Sequence, residues 1–459
     1  MLEKFLKQTK FSSQEDFIKN FRINVPENFN FGYDVVDEWA RIAPEKKALC
    51  WTNEQDHHID FTFADIKRES DKTAAFFLSL GIKRGDMVML ILKRRYEFWF
   101  SIIALHKIGA VCIPATHLLT EKDIIYRCNA ADIKMIVAVG EEPVIGHIDR
   151  SIADSPTLKY RVSVGPEVPE GWLDFHAGIE AAAPFERPAL ANTNDDTSLL
   201  YFTSGTTGSS KMVMLSQKNV FSVVSSACAT VDFNADDVLV SCLPLHHTYE
   251  LACTLAACDF GAKICINDSL RHVLKNFKEY RPTGLVLVPM FISTMYKKIL
   301  SEAKRSGKDK ILPPAARIAR YLKLCGIDMS DKLFSDVKEA FGGRLEKIIS
   351  GGAELPTDMI AVFEAFGISI YEGYGITECS PLVAVTPYYK RKVGSVGPHV
   401  PCCTVRIAGS EVGESGYVTG EIQVQGDNVM LGYMDPAANE EAFTSDGWFR
   451  TGDIGYMDE

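Results

Sequence analysis

Short apolar runs alternate with helical periodicity along most of this chain. Met87-Val88-Met89-Leu90-Ile91-Leu92 is too short for a buried helix and reads as a strand covered on both faces. A helix pattern follows over 96–107, then a strand over 110–114, a helix over 121–130 and a strand over 135–139. That order is the mark of a parallel sheet with helices packed on it. Upstream, Val35, Val36, Trp39 and Ile42 space out one face of a helix over 34–43, which stops before Pro44. Residues 61–63 begin a strand-to-helix passage into a helix over 65–80, ended by Gly81.

After a connector over 165–191 with several prolines and alanines, the alternation resumes. A strand is expected over 199–202, a helix over 217–229, and strands over 238–243, 264–266, 285–289, 347–350 and 368–371. Past Gly394 the pattern shortens to strands and turns, as at 405–407 and 421–425, and predicts a small β-barrel. The expected fold is therefore α/β: two similar sheet-and-helix subdomains, near 30–190 and 191–390, and a β-barrel region over 391–459. Between Met295 and Asp331 a helical segment carries Lys297, Lys298, Lys304, Arg305, Lys308, Lys310, Arg317, Arg320 and Lys323. It reads as solvated helix faces, or as a surface for a membrane or an anionic cofactor.

Composition narrows the partners. With 459 residues there is length for roughly three packed units, and 46% hydrophobic content allows a large core. A net charge of -11 argues against nucleic acid, whose binding needs a basic face. The 12 cysteines include no C-x-x-C pair, so neither a zinc site nor a regular disulfide framework is expected, and buried reduced thiols are. The N-terminus opens on mixed charge and the most apolar windows are far shorter than a membrane helix. A cytoplasmic protein without a transmembrane segment is expected, with room for peripheral membrane contact.

At the centre stands Tyr201-Phe202-Thr203-Ser204-Gly205-Thr206-Thr207-Gly208-Ser209-Ser210-Lys211, with two glycines and six hydroxyl residues in eleven positions. Such material is poor for a helix or strand and predicts a loop. Glycine admits phosphate oxygens close to the backbone, hydroxyls and amides donate to them, and lysine adds compact positive charge. A triphosphate is the guest this chemistry suits. Neither G-x-x-x-x-G-K-[ST] nor G-x-G-x-x-G is present.

The run resembles the signature T-S-G-T-T-G-x-P-K of the adenylate-forming superfamily, with Ser210 where that pattern has proline. Three further stretches are similar to that family's motifs in order: Tyr374-Gly375-Ile376-Thr377-Glu378 to Y-G-x-T-E, Trp448-Phe449-Arg450-Thr451-Gly452-Asp453 to W-[FY]-x-T-G-D, and Pro244-Leu245-His246-His247-Thr248-Tyr249-Glu250 to the segment that lines the acid pocket. The wording of 295–353 looks like the long-chain acyl-CoA synthetase branch, and 31–139 has a medium-chain flavour.

The resemblance implies a division of labour. Thr203, Ser204, Gly205, Thr206, Thr207, Gly208 and Lys211 would hold ATP phosphates. Gly352, Ala353 and Glu354 would line the adenine pocket. Tyr374 would stack on adenine, with Gly375 in the same turn, and Thr377 would contact the α-phosphate. Glu378 would hold Mg²⁺, and Asp453 would bind both ribose hydroxyls. His247 would touch the acyl carboxylate region or gate the thiol tunnel. The lack of an aspartate in 246–248 argues against amino acids, and the apolar run 251–257 suits an alkyl chain.

The implied reaction makes acyl-AMP and pyrophosphate from a carboxylic, fatty-type acid and ATP, then a thioester with coenzyme A. A carrier-protein acceptor, or a nucleotide- or acyl-binding module without turnover, are the alternatives. The family also has a small C-terminal domain with a lysine, which the sequence does not reach.

Overall fold

The computed structural model describes all residues except 1–3, 7, 9, 54–57, 205–209, 270, 306, 308, 309 and 415, and does not describe the side chains of 14, 18, 204, 312, 313, 320, 323, 324 and 410. Two 8-stranded sheets and a 3-stranded sheet carry the fold. From edge to edge the first sheet runs Gly432–Tyr433, Ser210–Ser216, Thr197–Ser204, Val111–Pro114, Met87–Ile91, Met135–Val139, Tyr160–Val164 and Leu173–Asp174. The second runs Ala384–Val385, Ser369–Tyr374, Lys347–Ser350, Gly284–Leu287, Val238–Ser241, Lys263–Ile266, Lys47–Thr52 and His58–Thr62. Its central strands are all parallel.

The elements expected at 87–92, 96–107, 110–114, 121–130 and 135–139 appear as Met87–Ile91, Glu97–Ile108, Val111–Pro114, Glu121–Ala131 and Met135–Val139. Helix Glu97–Ile108 is buried along its whole length, which explains its poor polar stripe. Helix Phe63–Ser79 begins at a capping box in which the Thr62 hydroxyl and the Asp65 carboxylate satisfy each other's backbone amides.

Several expectations need correction. The helix over 34–43 is split into a π-helical turn, Gly32–Val36, and an α-helix, Asp37–Ile42. The connector 165–191 contains strand Leu173–Asp174 and helix Phe175–Ala181. Sheet membership does not follow chain order. Hairpin Thr197–Ser204/Ser210–Ser216 adds to the first sheet, while hairpin Lys47–Thr52/His58–Thr62 adds to the second. The β-rich region past Gly394 takes the form of a three-stranded antiparallel sheet of Cys403–Val412, Val418–Gly426 and Phe449–Tyr456, not closed into a barrel among the described residues.

Lys297, Lys298, Lys304, Arg305, Lys310 and Arg317 are exposed on or beside helices Pro289–Arg305 and Leu312–Leu324, next to exposed Ile311, Ile318 and Tyr321. No helix among the described residues is long and apolar enough to cross a membrane. The cysteines are free and mostly buried, with Cys325 exposed. Among the described residues one three-residue group, Cys50, His58 and Asp60, has the spacing to hold a metal ion. Its Asp60 is already held by Lys47 and Lys263, and the group sits at the second sheet's outer strands.

A buried charge ties the first helices together. Lys107 is fully buried, its Nζ 2.7 Å from Asp37 Oδ1 and 2.6 Å from Asp71 Oδ1, and it donates to Ser70 Oγ at 3.1 Å. Removing the cation would leave Asp37 without its ion-pair partner and Asp71 with Lys67 alone, both about one-fifth exposed. Lys107→Met is therefore expected to destabilise the fold by about 3–5 kcal/mol, read as a lower urea midpoint with unchanged slope.

Candidate active site

Parallel strands end together, so their C-terminal ends present loops along one edge of a sheet. In the second sheet three such loops carry motif residues. Strand Val238–Ser241 leads into 242–247, Lys347–Ser350 into Gly351 and Gly352, and Ser369–Tyr374 into Gly375 and the 3-10 turn Thr377–Cys379. His247 caps helix Thr248–Phe260 from the N-terminal side.

Other sheets close over this edge. The Tyr374 hydroxyl donates to Asp453 Oδ2 at 2.7 Å, from the second sheet to the small one. Tyr433, on the edge strand of the first sheet, donates to Glu378 Oε1 at 2.9 Å. Lys211 Nζ lies 4.8 Å above the Tyr433 ring, a cation–π contact. Thr377 Oγ1 stands 3.2 Å from Thr248 Oγ1. A continuous chain of contacts thus joins Thr248, Thr377, Glu378, Tyr433 and Lys211, and brings three separate sequence motifs to one place.

The flanks of the central run are strand rather than the loop expected of them. Thr203 and Ser204 end one strand, and Ser210 and Lys211 begin its antiparallel partner. Backbone pairing overrides their weak strand propensity. Ser210, the departure from the family pattern, is part of that ladder, and its carbonyl accepts from the Tyr126 hydroxyl at 3.2 Å. Thr203 Oγ1 donates to the Lys211 carbonyl at 3.4 Å. Gly205, Thr206, Thr207 and Gly208 lie outside the described residues, as does the side chain of Ser204. Ala353 and Glu354 are exposed beyond Gly352.

Beneath the edge lies a cavity of about 570 Å³, within the usual size of a small-molecule site. At its mouth are His247, Thr248, Gly351, Gly352, Tyr374 and Thr377. Its walls are apolar, built from Val223, Val224 and Ala227 of helix Gln217–Thr230 and from Ala252, Cys253 and Ala256 of helix Thr248–Phe260. The alkyl-suited run 251–257 is thus half wall: Leu251 and Leu255 point away into the core.

Burial governs the titratable groups here. It lowers His247, and with the positive charge of His247, His117, Arg127 and Arg94 it lowers His246 to about 4. The pair therefore meets a ligand as neutral imidazoles. Burial pushes Glu250 up to about 8 even though it accepts from the Ser241 hydroxyl and the Leu243 amide. Asp259 on the same helix is pushed up to about 7. Glu250 Oε2 and Asp259 Oδ1 have no hydrogen-bond partner among the described residues.

Sequence reasoning missed Tyr433 and the Gln217–Thr230 wall. Tyr433 is one tyrosine on a two-residue strand, with no local signal. The wall was legible only as helical periodicity.

A glycine-bearing polar edge thus stands directly above a largely apolar cavity, on sheets of an α/β fold. The chain belongs to the AMP-binding enzyme family, whose model matches residues 36–434. It is similar to the long-chain-fatty-acid–CoA ligase FadD15 of Mycobacterium bovis, 29% identical over 421 residues, covering 87% of this chain and 68% of that protein. Human long-chain-fatty-acid–CoA ligase 6 is 31% identical over 392 residues, covering 79% of this chain and 56% of that one. The inhibitor-bound N-terminal domain of FACL13 from Mycobacterium tuberculosis shares the fold, with a TM-score of 0.75 at 23% identity over 94% of this chain and 97% of that one.

Two outcomes follow from the geometry. A Cβ on Gly375 would lie 1.6 Å from the Pro381 carbonyl oxygen, a backbone clash that no rotamer relieves. Gly375→Ala should displace the 375–378 turn, lose AMP binding in a calorimetric titration and cost about 1–3 kcal/mol of stability.

The second concerns pH. Glu250 and Asp259 bind protons more tightly folded than unfolded, so their contribution to stability is intact below about pH 4 and falls as pH rises through about 7 and 8. The Glu250 and Asp259 contribution to the melting temperature should drop between pH 5 and pH 8, against the opposite trend of the buried histidines. Glu250→Gln, which mimics the neutral acid, should flatten that drop; a slope equal to the parent's would clear Glu250 of the effect.

Proposed function

We propose that this chain activates a fatty-type carboxylic acid with ATP, forming acyl-AMP and pyrophosphate, and then passes the acyl group to coenzyme A. The observation that carries the reading is the cavity, whose apolar walls open directly onto Tyr374, Thr377 and the glycines of the sheet edge. An alkyl chain would lie inside with its carboxylate at the mouth. There a carboxylate oxygen attacks the α-phosphorus, the bond to the pyrophosphate oxygen breaks, and the thiol sulfur later attacks the acyl carbon as AMP leaves with the bonding electrons.

A carboxylate needs no general base; its obstacle is repulsion from the triphosphate. Lys211, the amides and hydroxyls of 203–208, and Thr377 supply the opposing field and hold the reacting atoms in line. His247, neutral at the mouth, orients the carboxylate by hydrogen bonding rather than by charge. Tyr374 lays its ring against adenine while its hydroxyl keeps Asp453 turned toward the ribose. Gly352, Ala353 and Glu354 border the base.

Glu378 suits Mg²⁺, being a half-buried carboxylate with hard oxygen donors, steadied on one oxygen by Tyr433. The ion, when bound, neutralises phosphate charge. Peripheral membrane contact belongs to the same reading, through the exposed basic helices.

Pyrophosphate release should appear with straight-chain acids and ATP, and thioester formation with coenzyme A; an acyl-carrier protein tested beside it decides the acceptor. No release with any acid would remove the adenylation reading. Asp453→Ala should weaken ATP and AMP binding at least tenfold by calorimetry, since each lost charge-assisted hydrogen bond is worth about 1.5–3 kcal/mol. Unchanged affinity would remove Asp453 from the site.

A further inference from the structure

The cavity has a direction and an end. Its mouth is at the C-terminal ends of the second sheet's strands, and it descends past Val288 and Val286 toward Leu239, near the N-terminal end of Val238–Ser241. Helix Thr248–Phe260 runs the same way for 13 residues, a length of about 20 Å. At the bottom the lining is Val231, Phe233, Leu239 and Phe260. The two rings face each other at 6.4 Å between centroids and close the floor.

Phe233 is held from behind. Gly284 gives up its side chain to the ring: a Cβ there would stand 2.4 Å from Phe233 Cε1. The Lys347 ammonium lies 4.8 Å from the ring centroid. That lysine is itself fixed by Asp237, 3.2 Å away, and by the Asp232 carbonyl. Asp237 in turn accepts from the Thr283 hydroxyl at 2.6 Å and the Asn234 amide at 2.8 Å. The bare glycine and the largely buried Lys347–Asp237 ion pair both pack against this ring and oppose its swinging aside to admit a longer chain.

We propose that Phe233, held in place by Gly284 and Lys347, is a fixed end-stop that sets the longest acyl chain this protein accepts. The inference rests on the acyl-adenylate reading and adds to it a specificity residue at the far end of the site from the chemistry. Phe233 acts by excluded volume alone. Below the stop each added methylene gains apolar burial; beyond it the chain must displace either the ring or the helices.

The test uses the protein as it stands and a series of n-alkanoyl sulfamoyl adenosines of increasing length, with affinities from calorimetric titration. In the parent chain each methylene should tighten binding about fourfold up to a break, after which affinity falls. Phe233→Ala should move the break about two to four methylenes longer. Phe233→Leu, a milder change that keeps an apolar filler, should move it in the same direction by less. Gly284→Ala should push the ring into the cavity and move the break shorter.

Sulfamoyl adenosine without an acyl chain should bind all variants equally, because the nucleotide edge is untouched. A Phe233→Leu protein that binds it normally yet keeps the parent's break overturns the end-stop and leaves the acyl-adenylate reading standing. Affinity independent of acyl length in the parent chain overturns that reading and the end-stop with it.

Discussion

The in-register parallel pairing of the second sheet is the constraint on which the rest depends. Gly284 pairs with both Leu239 and Lys347, and Lys347 with Ser369, so neighbouring strands start level and finish level. Parallel strands must be linked by crossovers over the sheet's faces. Every return therefore places its helix on a face and its incoming loop at the C-terminal edge. The loops bearing His247, Gly352 and Thr377 have no other place to go.

The same pairing sets the contrast between edge and interior. At the edge, strand-end amides and hydroxyls are exposed and can serve a polar ligand. One layer below, helices Gln217–Thr230 and Thr248–Phe260 stand off the sheet with small side chains such as Ala227, Ala252 and Ala256, which leaves a void that bulkier residues would fill. Holding that void open costs packing, and Glu250 and Asp259 add the cost of buried acids, each with one oxygen unpartnered among the described residues. Structure of this kind is kept where function needs it.

Strands from distant segments bind the sheets into one site. Because Lys47–Thr52 and His58–Thr62 complete the second sheet and Gly432–Tyr433 the first, neither sheet is made from one continuous stretch. Lys211 arrives on the first sheet and Glu378 on the second, and Tyr433 stands between them, bonded to the carboxylate and under the ammonium.

Alternation of apolar strands and amphipathic helices was enough to read the α/β class and most elements of the first half, since buried parallel strands carry an apolar run that depends only on local sequence. Family motifs at Lys211, Thr377, Glu378 and Asp453 were legible for the same reason: each is a short local pattern. Pairing across long separations was not. The placing of the hairpins in the sheets, the strand character of Ser210 and Lys211, the partnership of Tyr374 with Asp453, and Tyr433 beneath Lys211 all depend on contacts between distant segments. The floor of the cavity is the extreme case, because a glycine at 284 matters only once Phe233 has been folded against it. Local periodicity settled what each segment is; only the packed sheets decided which side chains meet and where the apolar cavity stops.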